Sequence, residues 1–218
     1  EVINMGATSF HSAQQFGRLK AEVKLSQGDV IIFYDGVNDV LQRITYENHE
    51  GYMYGNPKKE SFWLKQLRSK SKYSSILFIY YSKIIENTKE TPSALIKTSV
   101  DDYVNTLLAV NEYVKGKGAS FYHFLQPTLF TKKNLNKYEK LLIKKGTPFV
   151  PAQLIQDFNR AYPLILNKLD SVKFSYSLVG EFDDLKKSPY LDFCHVNHIG
   201  NKIIAKNIWN NIHNEIKF

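Results

Sequence analysis

A chain of 218 residues with 43% hydrophobic and 14% aromatic content has enough apolar material for one packed domain spanning 1–218, and it carries no internal repeat or low-complexity tract. Its 29 basic and 21 acidic residues leave a formal charge of +8, which raises the question of a nucleic-acid partner. The basic residues fall in short scattered clusters (Lys58-Lys59, Lys65 to Lys72, Lys132-Lys133, Lys144-Lys145, Lys186-Lys187) without interleaved aromatics, so a solvated lysine-rich surface and no nucleic acid are expected.

Glu1 to Met5 is short, β-prone and followed by Gly6, which predicts a first strand; Ala13, Phe16, Leu19 and Val23 then share one helical face. Asp29 to Tyr34 is a continuous apolar run of the kind a parallel strand shows when both its faces are covered, and it predicts the core strand. Val40 to Lys72 is long, polar and spiked with Tyr46, Tyr52, Tyr54, Phe62 and Trp63. It reads as a lid or wall whose rings suit carbohydrate or acyl surfaces, or as a plain surface loop. Tyr73 to Asn87 predicts a buried helix or an interfacial one. Its most apolar stretch, Ile76 to Ile85, contains Lys83 and falls well short of the roughly twenty residues of a membrane span, so no integral span is expected.

Ser99 to Lys117 predicts an amphipathic helix, with Val100, Val104, Leu107, Leu108 and Val114 on its stripe. Asp101 and Asp102 fall in the first turn of that helix, where acidic side chains favour the dipole. Ala119 to Leu125 predicts a strand entering Gln126-Pro127. Leu135 to Lys145 and Pro151 to Leu169 predict two helices, the second with Leu154, Phe158, Leu164 and Leu169 inward and Pro163 as a kink. Phe174 to Leu178 is a short strand, and Gly200 to Ile216 a closing helix with Ile203, Ile204, Ile208 and Ile212 inward. Strands alternating with helices predict an α/β domain with a doubly wound parallel sheet, whose ligands sit beyond the carboxyl ends of the strands.

Gly6 to Ser9, Gly36 to Asp39, Gln126 and Asp192 to His195 all fall at that edge. Asp192 and His195 form D-x-x-H, a spacing at which a turn lets the carboxylate take one ring nitrogen, fix the tautomer and leave the other nitrogen as a base. The plainer reading is a capped helix start with polar residues on a loop. Gln126 is either a substrate contact or a polar residue before a turn-setting proline. Cys194, the single cysteine, makes no intramolecular disulfide and is expected to be a small buried thiol rather than a nucleophile. His195 and His198 are three apart, but no Cys or carboxylate set completes a ligand cluster in the sequence, so no metal and no cofactor are expected.

Gly36-Val37-Asn38-Asp39 directly after the apolar run, with D-x-x-H-x-x-x-x-G from Asp192 to Gly200, resembles the SGNH (GDSL-like) hydrolase superfamily of esterases, lipases, deacetylases and acyltransferases. Asn4-Met5-Gly6-Ala7-Thr8-Ser9 resembles that family's second block, with Ser9 where the family usually has Gly. The resemblance implies a three-layer, flavodoxin-like 2-1-3-4-5 sheet. It implies His195 as general base and then acid, Asp192 as its orienter, and the Asn38 side chain and Ser9 backbone N–H as oxyanion donors. Gly36 would permit the turn, with Asp39, Gly6 and Gln126 in support.

The chain contains no G-D-S or G-G-S nucleophile segment. Ser9 and Ser12 are the only serines near the expected edge; the first sits at the oxyanion position and the second opens a helix. By resemblance the nucleophile comes after the sheet's first strand, expected upstream of Glu1, so that strand is expected to be missing and the domain N-terminally incomplete. Two functions fit the resemblance. One is hydrolysis or transfer of an O-acyl group on a small-molecule or carbohydrate ester; the other is a catalytically inactive carbohydrate-binding or interaction domain of the same fold. Compartment and oligomeric state are not set by the sequence.

Overall fold

The computed structural model describes residues 1–46, 91–145 and 152–214. Three parallel strands form its sheet in the order β1-β2-β3: β1 (Val30–Asp35), β2 (Ser120–Leu125) and β3 (Ser175–Ser177). The register sets Asp35 opposite Leu125 and His123 opposite Ser175, so the ends of β1 and β2 finish level. Side chains alternate between the faces of a strand. Phe33, Phe121 and Leu125 accordingly join a core built from α1 (Ser12–Glu22), α3 (Ser93–Lys115) and α5 (Ala152–Leu169). Tyr122 and Phe124 point the other way, to Leu178, Phe182 and the Ile204 and Ile212 side chains of α6 (His198–Ile212), beside which α4 (Lys137–Lys145) adds Leu142 and Ile143. The result is an α/β domain with a three-strand parallel sheet flanked by helices on both faces.

Between β1 and the next described helix the chain makes a single turn, α2 (Val37–Asp39), that widens at once into a π-helical stretch, Val40–Tyr46. Val40 and Ile44 are each only 1% exposed, so this stretch belongs to the core rather than to a surface loop. The remainder of the expected lid, 47–72, and the expected helix Tyr73 to Asn87 lie outside the described residues. No helix among the described residues is long and apolar enough to cross a membrane.

Several expectations are corrected. Glu1 to Met5 is not a strand: Val2 and Ile3 are 98% and 67% exposed, because a strand needs a backbone partner and none pairs with this segment among the described residues. β1 packs on both faces, Phe33 and Ile31 on one core cluster and Val30 and Tyr34 on the other, but among the described residues only β2 pairs with it, and Ile32 is 42% exposed. α3 starts six residues earlier than expected, at Ser93 after Pro92, which moves Asp101 and Asp102 out of the first turn. They serve as ion-pair partners instead, Asp101 to Lys168 at 2.7 Å and Asp102 to Arg43 at 3.6 Å. Leu108 and Leu164, expected inward, are 41% and 40% exposed. Each sits one residue, about 100° of helical turn, away from a buried neighbour, Leu107 and Ile165, and falls off the inward stripe. The last helix ends at Ile212 rather than Ile216.

Lys132, expected in a solvated basic cluster, is buried. Its Nζ donates to both carboxylate oxygens of Glu139 at 2.8 Å, and Glu139 Oε2 also accepts from Asn136 N at 2.9 Å at the start of α4. The two side chains are 1% and 0% exposed, so removing one charge strands the other in a water-excluded place. Glu139→Ala is expected to lower unfolding free energy by about 3–5 kcal/mol, read from urea denaturation, and a loss under about 1 kcal/mol would contradict this burial.

Candidate functional site at the carboxyl edge of the sheet

Leu191 N–H donates to His195 O at 2.8 Å, and Tyr190 bridges Val196 antiparallel, closing a tight turn around Asp192. Asp192 Oδ1 accepts from the backbone N–H groups of Cys194, at 2.8 Å, and His195, at 2.7 Å. Its other oxygen, Oδ2, lies 2.7 Å from His195 Nδ1. An ionised carboxylate only accepts, so Nδ1 carries the proton and Nε2 is left as the basic nitrogen. Burial alone would raise the Asp192 pKa, but the hydrogen bonds from His195 and Cys194 outweigh it and hold the carboxyl below its usual value. The His195 side chain is 74% exposed.

The same turn explains the spacing to Gly200. Asn197 caps α6, its Oδ1 accepting from Ile199 N and Gly200 N, and this presses the first helical turn onto the loop. A Cβ on Gly200 would lie 2.6 Å from Val196 Cβ and 3.1 Å from Pro189 Cβ, so only glycine fits. His198 is the first residue of α6 and exposed.

Phe193 ties the turn to the core, stacking on Phe130 at 5.3 Å and meeting Phe158 edge-on at 6.0 Å, while its carbonyl accepts from Leu129 N at 2.7 Å. Cys194 is 5% exposed, and burial, together with the smaller effect of the Asp192 charge, pushes its thiol well up. A thiol held protonated is a poor nucleophile and a poor metal ligand. The expectation that no ligand set forms here is nonetheless corrected: Asp192, Cys194 and His195 bring a carboxylate, a thiol and an imidazole within 4.8 Å of one another. A turn folds side chains together that are only neighbours in sequence.

The second half of the edge is built on β1. Gly36 comes directly after Asp35 with φ 110°, and a Cβ there would lie 2.6 Å from Leu125 Cδ1 and 3.2 Å from the Tyr103 hydroxyl. Both the backbone and the space demand glycine. Asn38 then donates Nδ2–H to Phe10 O at 3.0 Å, and Gln42 Nε2 donates to Ser9 O. Ser9 has φ 62°, the left-handed conformation that glycine adopts without cost. Asp39, 3% exposed, accepts from Ser12 N at 3.1 Å and from Ser12 Oγ at 2.6 Å, and Arg43 Nε stands 3.7 Å away. Ser12 is therefore consumed structurally. Gly6 sits exposed at the outer end of this N-terminal turn, its N–H donating to Asn4 Oδ1 at 2.9 Å.

No family model, curated protein or solved structure matches this chain.

Gln126 joins the two halves. Its backbone N–H donates to Asp35 O at 2.8 Å, its side-chain Nε2 lies 3.4 Å from Cys194 O, and its carbonyl accepts from the Tyr162 hydroxyl at 2.9 Å. The structure thus gathers Asn38, Ser9, Gly36 and Asp39 into one cluster and Asp192, His195 and Gln126 into another, at the same edge of the sheet. Chemically, one half offers an oriented imidazole. The other offers the Asn38 side-chain amide, one of whose two N–H groups donates to Phe10 O and whose second has no partner among the described residues.

Sequence reasoning missed Asp35, Tyr103, His123 and Ser175, a hydrogen-bonded group beneath Gly36 that is buried except at the half-buried Ser175. The available signals were a charged residue ending an apolar strand and a histidine in the middle of another. It also missed His11, half-buried on the Ser9 turn, where burial and then the Arg43 charge lower its pKa.

Burial, and then the Asp35 charge, push the Asp39 carboxyl up to about 7, far above the usual carboxylate range. A raised carboxyl pKa means that between roughly pH 4 and pH 7 the folded chain keeps a proton that the unfolded chain releases. Asp39 therefore costs stability progressively as pH rises through that window. Asp39→Asn is expected to flatten the fall of the urea midpoint between pH 5 and pH 8, and an unchanged slope in the variant would count against the buried, proton-holding carboxyl.

Proposed function

We propose that this chain is an SGNH-type ester hydrolase or O-acyltransferase domain that acts on an O-acyl ester, with acylated carbohydrate as the substrate class. The observation that carries the reading is the Asp192-His195 pair: an exposed imidazole whose Nδ1 is held at 2.7 Å by a carboxylate that two backbone N–H groups keep ionised. In this reading His195 Nε2 takes the nucleophile's proton and returns it to the leaving alkoxide, while Asp192 steadies the imidazolium. Asn38 and the backbone N–H of Ser9 receive the oxyanion of the tetrahedral intermediate. The G-x-N-D and D-x-x-H-x-x-x-x-G residues of the family stand on turns at one sheet edge, which supports the carry-over of roles. Tyr and Trp in the expected lid supply the argument for a carbohydrate acceptor.

Among the described residues no serine is placed as the nucleophile. No hydrogen bond joins a serine to the His195 ring among the described residues, Ser12 is bound to Asp39, and Ser9 is in the oxyanion turn. Among the described residues no strand pairs with the outer edge of β1, next to the Gly36 turn, and a further parallel strand there would deliver a serine to this edge. A second reading, a catalytically inactive carbohydrate-binding or interaction domain of the same fold, is favoured by one observation: the Asn38 amide already donates to Phe10 O.

Fluorophosphonate labelling with peptide mapping separates these readings. A longer form that supplies the serine is expected to be labelled and to hydrolyse aryl esters, whereas residues 1–218 alone show neither. In the active form His195→Ala is expected to lower kcat by about a thousandfold or more, and Cys194→Ala to change it less than about threefold. Labelling of a serine within 1–218 would overturn the assignment of the nucleophile, and a large loss from Cys194→Ala would point to a thiol mechanism.

A further inference from the structure

A chain of polar groups, half-buried at Ser175 and buried beyond it, runs from β3 across β2 to the end of β1. The Ser175 hydroxyl is 2.7 Å from His123 Nδ1, His123 Nε2 is 2.8 Å from the Tyr103 hydroxyl, and that hydroxyl donates to Asp35 Oδ1 at 2.7 Å. A phenol has one proton, and here it points to Asp35, so the Tyr103 oxygen accepts from Nε2–H. The other ring nitrogen, Nδ1, pairs with the Ser175 hydroxyl. The hydrogen bonds thus link β3, β2, α3 and β1, and the chain ends on Asp35.

His123 is fully buried, and Tyr103 and Asp35 are nearly so. Asp35 Oδ2 has no partner among the described residues, so Oδ1 carries this carboxylate's hydrogen bonding, from Tyr103 and, at a longer 3.2 Å, from His123. Hydrogen bonds to a buried charge are stronger than neutral ones, and losing one leaves the charge underserved. Asp35 is also the residue directly before Gly36, and the Tyr103 hydroxyl lies 3.2 Å from where a Gly36 Cβ would stand. One oxygen atom therefore holds the side chain before the turn and walls the turn itself.

We propose that Ser175, His123 and Tyr103 are positioning residues, whose hydrogen-bond chain holds Asp35 and through it sets the Gly36 turn that carries Asn38. The catalytic meaning of that turn rests on the function proposed above; the mechanical link from β3 to Asn38 does not. Neither end of the chain reaches the reacting atoms, so its effect is transmitted. Ser175 stands on the far side of His123 from Gly36, and any effect of its hydroxyl on Asn38 has to travel through the intervening groups.

The test uses the isotopically labelled 218-residue chain. Amide signals of Gly36 and Asn38, the Asn38 side-chain amide, and exchange of the Val40 N–H that donates to Gly36 O are read in Ser175→Ala, Ser175→Thr and Tyr103→Phe. Ser175→Ala is expected to shift the Gly36 and Asn38 signals and to speed Val40 exchange about tenfold, with exchange in α5 unchanged, while Ser175→Thr, which keeps the hydroxyl, stays like the parent. Tyr103→Phe is expected to shift the same signals further. In the catalytically active form it should lower kcat with little change in KM, the mark of an oxyanion donor out of place. Signals at Gly36 and Asn38 that ignore Ser175→Ala, or that respond to Ser175→Thr as strongly as to Ser175→Ala, overturn the proposal. If no ester is ever hydrolysed, the function proposed above fails, and the amide signals still decide the positioning chain.

Discussion

A carboxylate buried at the end of β1 is the constraint on which this structure turns. Asp35 finishes β1, and an unpaired charge in such a place costs several kcal/mol in real proteins. The cost is met by Tyr103 on Oδ1 and, behind it, by His123 and Ser175. The same requirement fixes α3 against the sheet, because Tyr103 brings the helix to within hydrogen-bond distance of β1 and β2 at once. Gly36 has to be glycine because that hydroxyl and Leu125 fill the space beside it. Asn38 and Asp39, the next polar residues along the chain, inherit their places from this junction.

Asp39 then carries the constraint outward. Its oxygens hold Ser12 at the start of α1, so the N-terminal turn with Ser9 and Phe10 is drawn against the turn with Asn38. Two carboxylates so close cannot both be comfortable as anions in a low-dielectric place. Asp35 is the one with the donor chain, and burial together with the Asp35 charge raises the pKa of Asp39. On the opposite side the Asp192 turn needs none of this: its carboxylate is fed by its own backbone, and its ring partner stands in solvent. A local, self-sufficient turn and a turn braced through the core meet across Gln126.

That contrast explains what was legible in the sequence. The Asp192-His195 spacing, the glycine five residues on, the buried thiol and the strands at 30–35 and 120–125 depend on short-range chemistry and could be read directly. Helix bounds differed at Ser93 and Ile212, and Leu108 and Leu164 fell one position off the inward stripes of their helices. The strand expected at Glu1 to Met5 failed because strand formation is decided by a partner, not by β-propensity. The chain from Ser175 to Asp35 was invisible because its hydrogen-bonded members are 20 to 88 residues apart in order and meet only through the register of three strands. Buried polar residues in otherwise apolar strands were the one hint, since such residues are almost always hydrogen-bonded to something.

The central claim is that His195 presents a bare Nε2 at the sheet edge because Asp192 claims the proton on Nδ1. Long-range nitrogen-detected NMR of the histidine ring, taken with the ring neutral, reads the tautomer directly. The expected result is a proton on Nδ1, shifted downfield by the carboxylate, with Nε2 in the unprotonated range, and loss of both features in Asp192→Ala. A ring protonated on Nε2, or a tautomer mixture unaffected by Asp192→Ala, would contradict it.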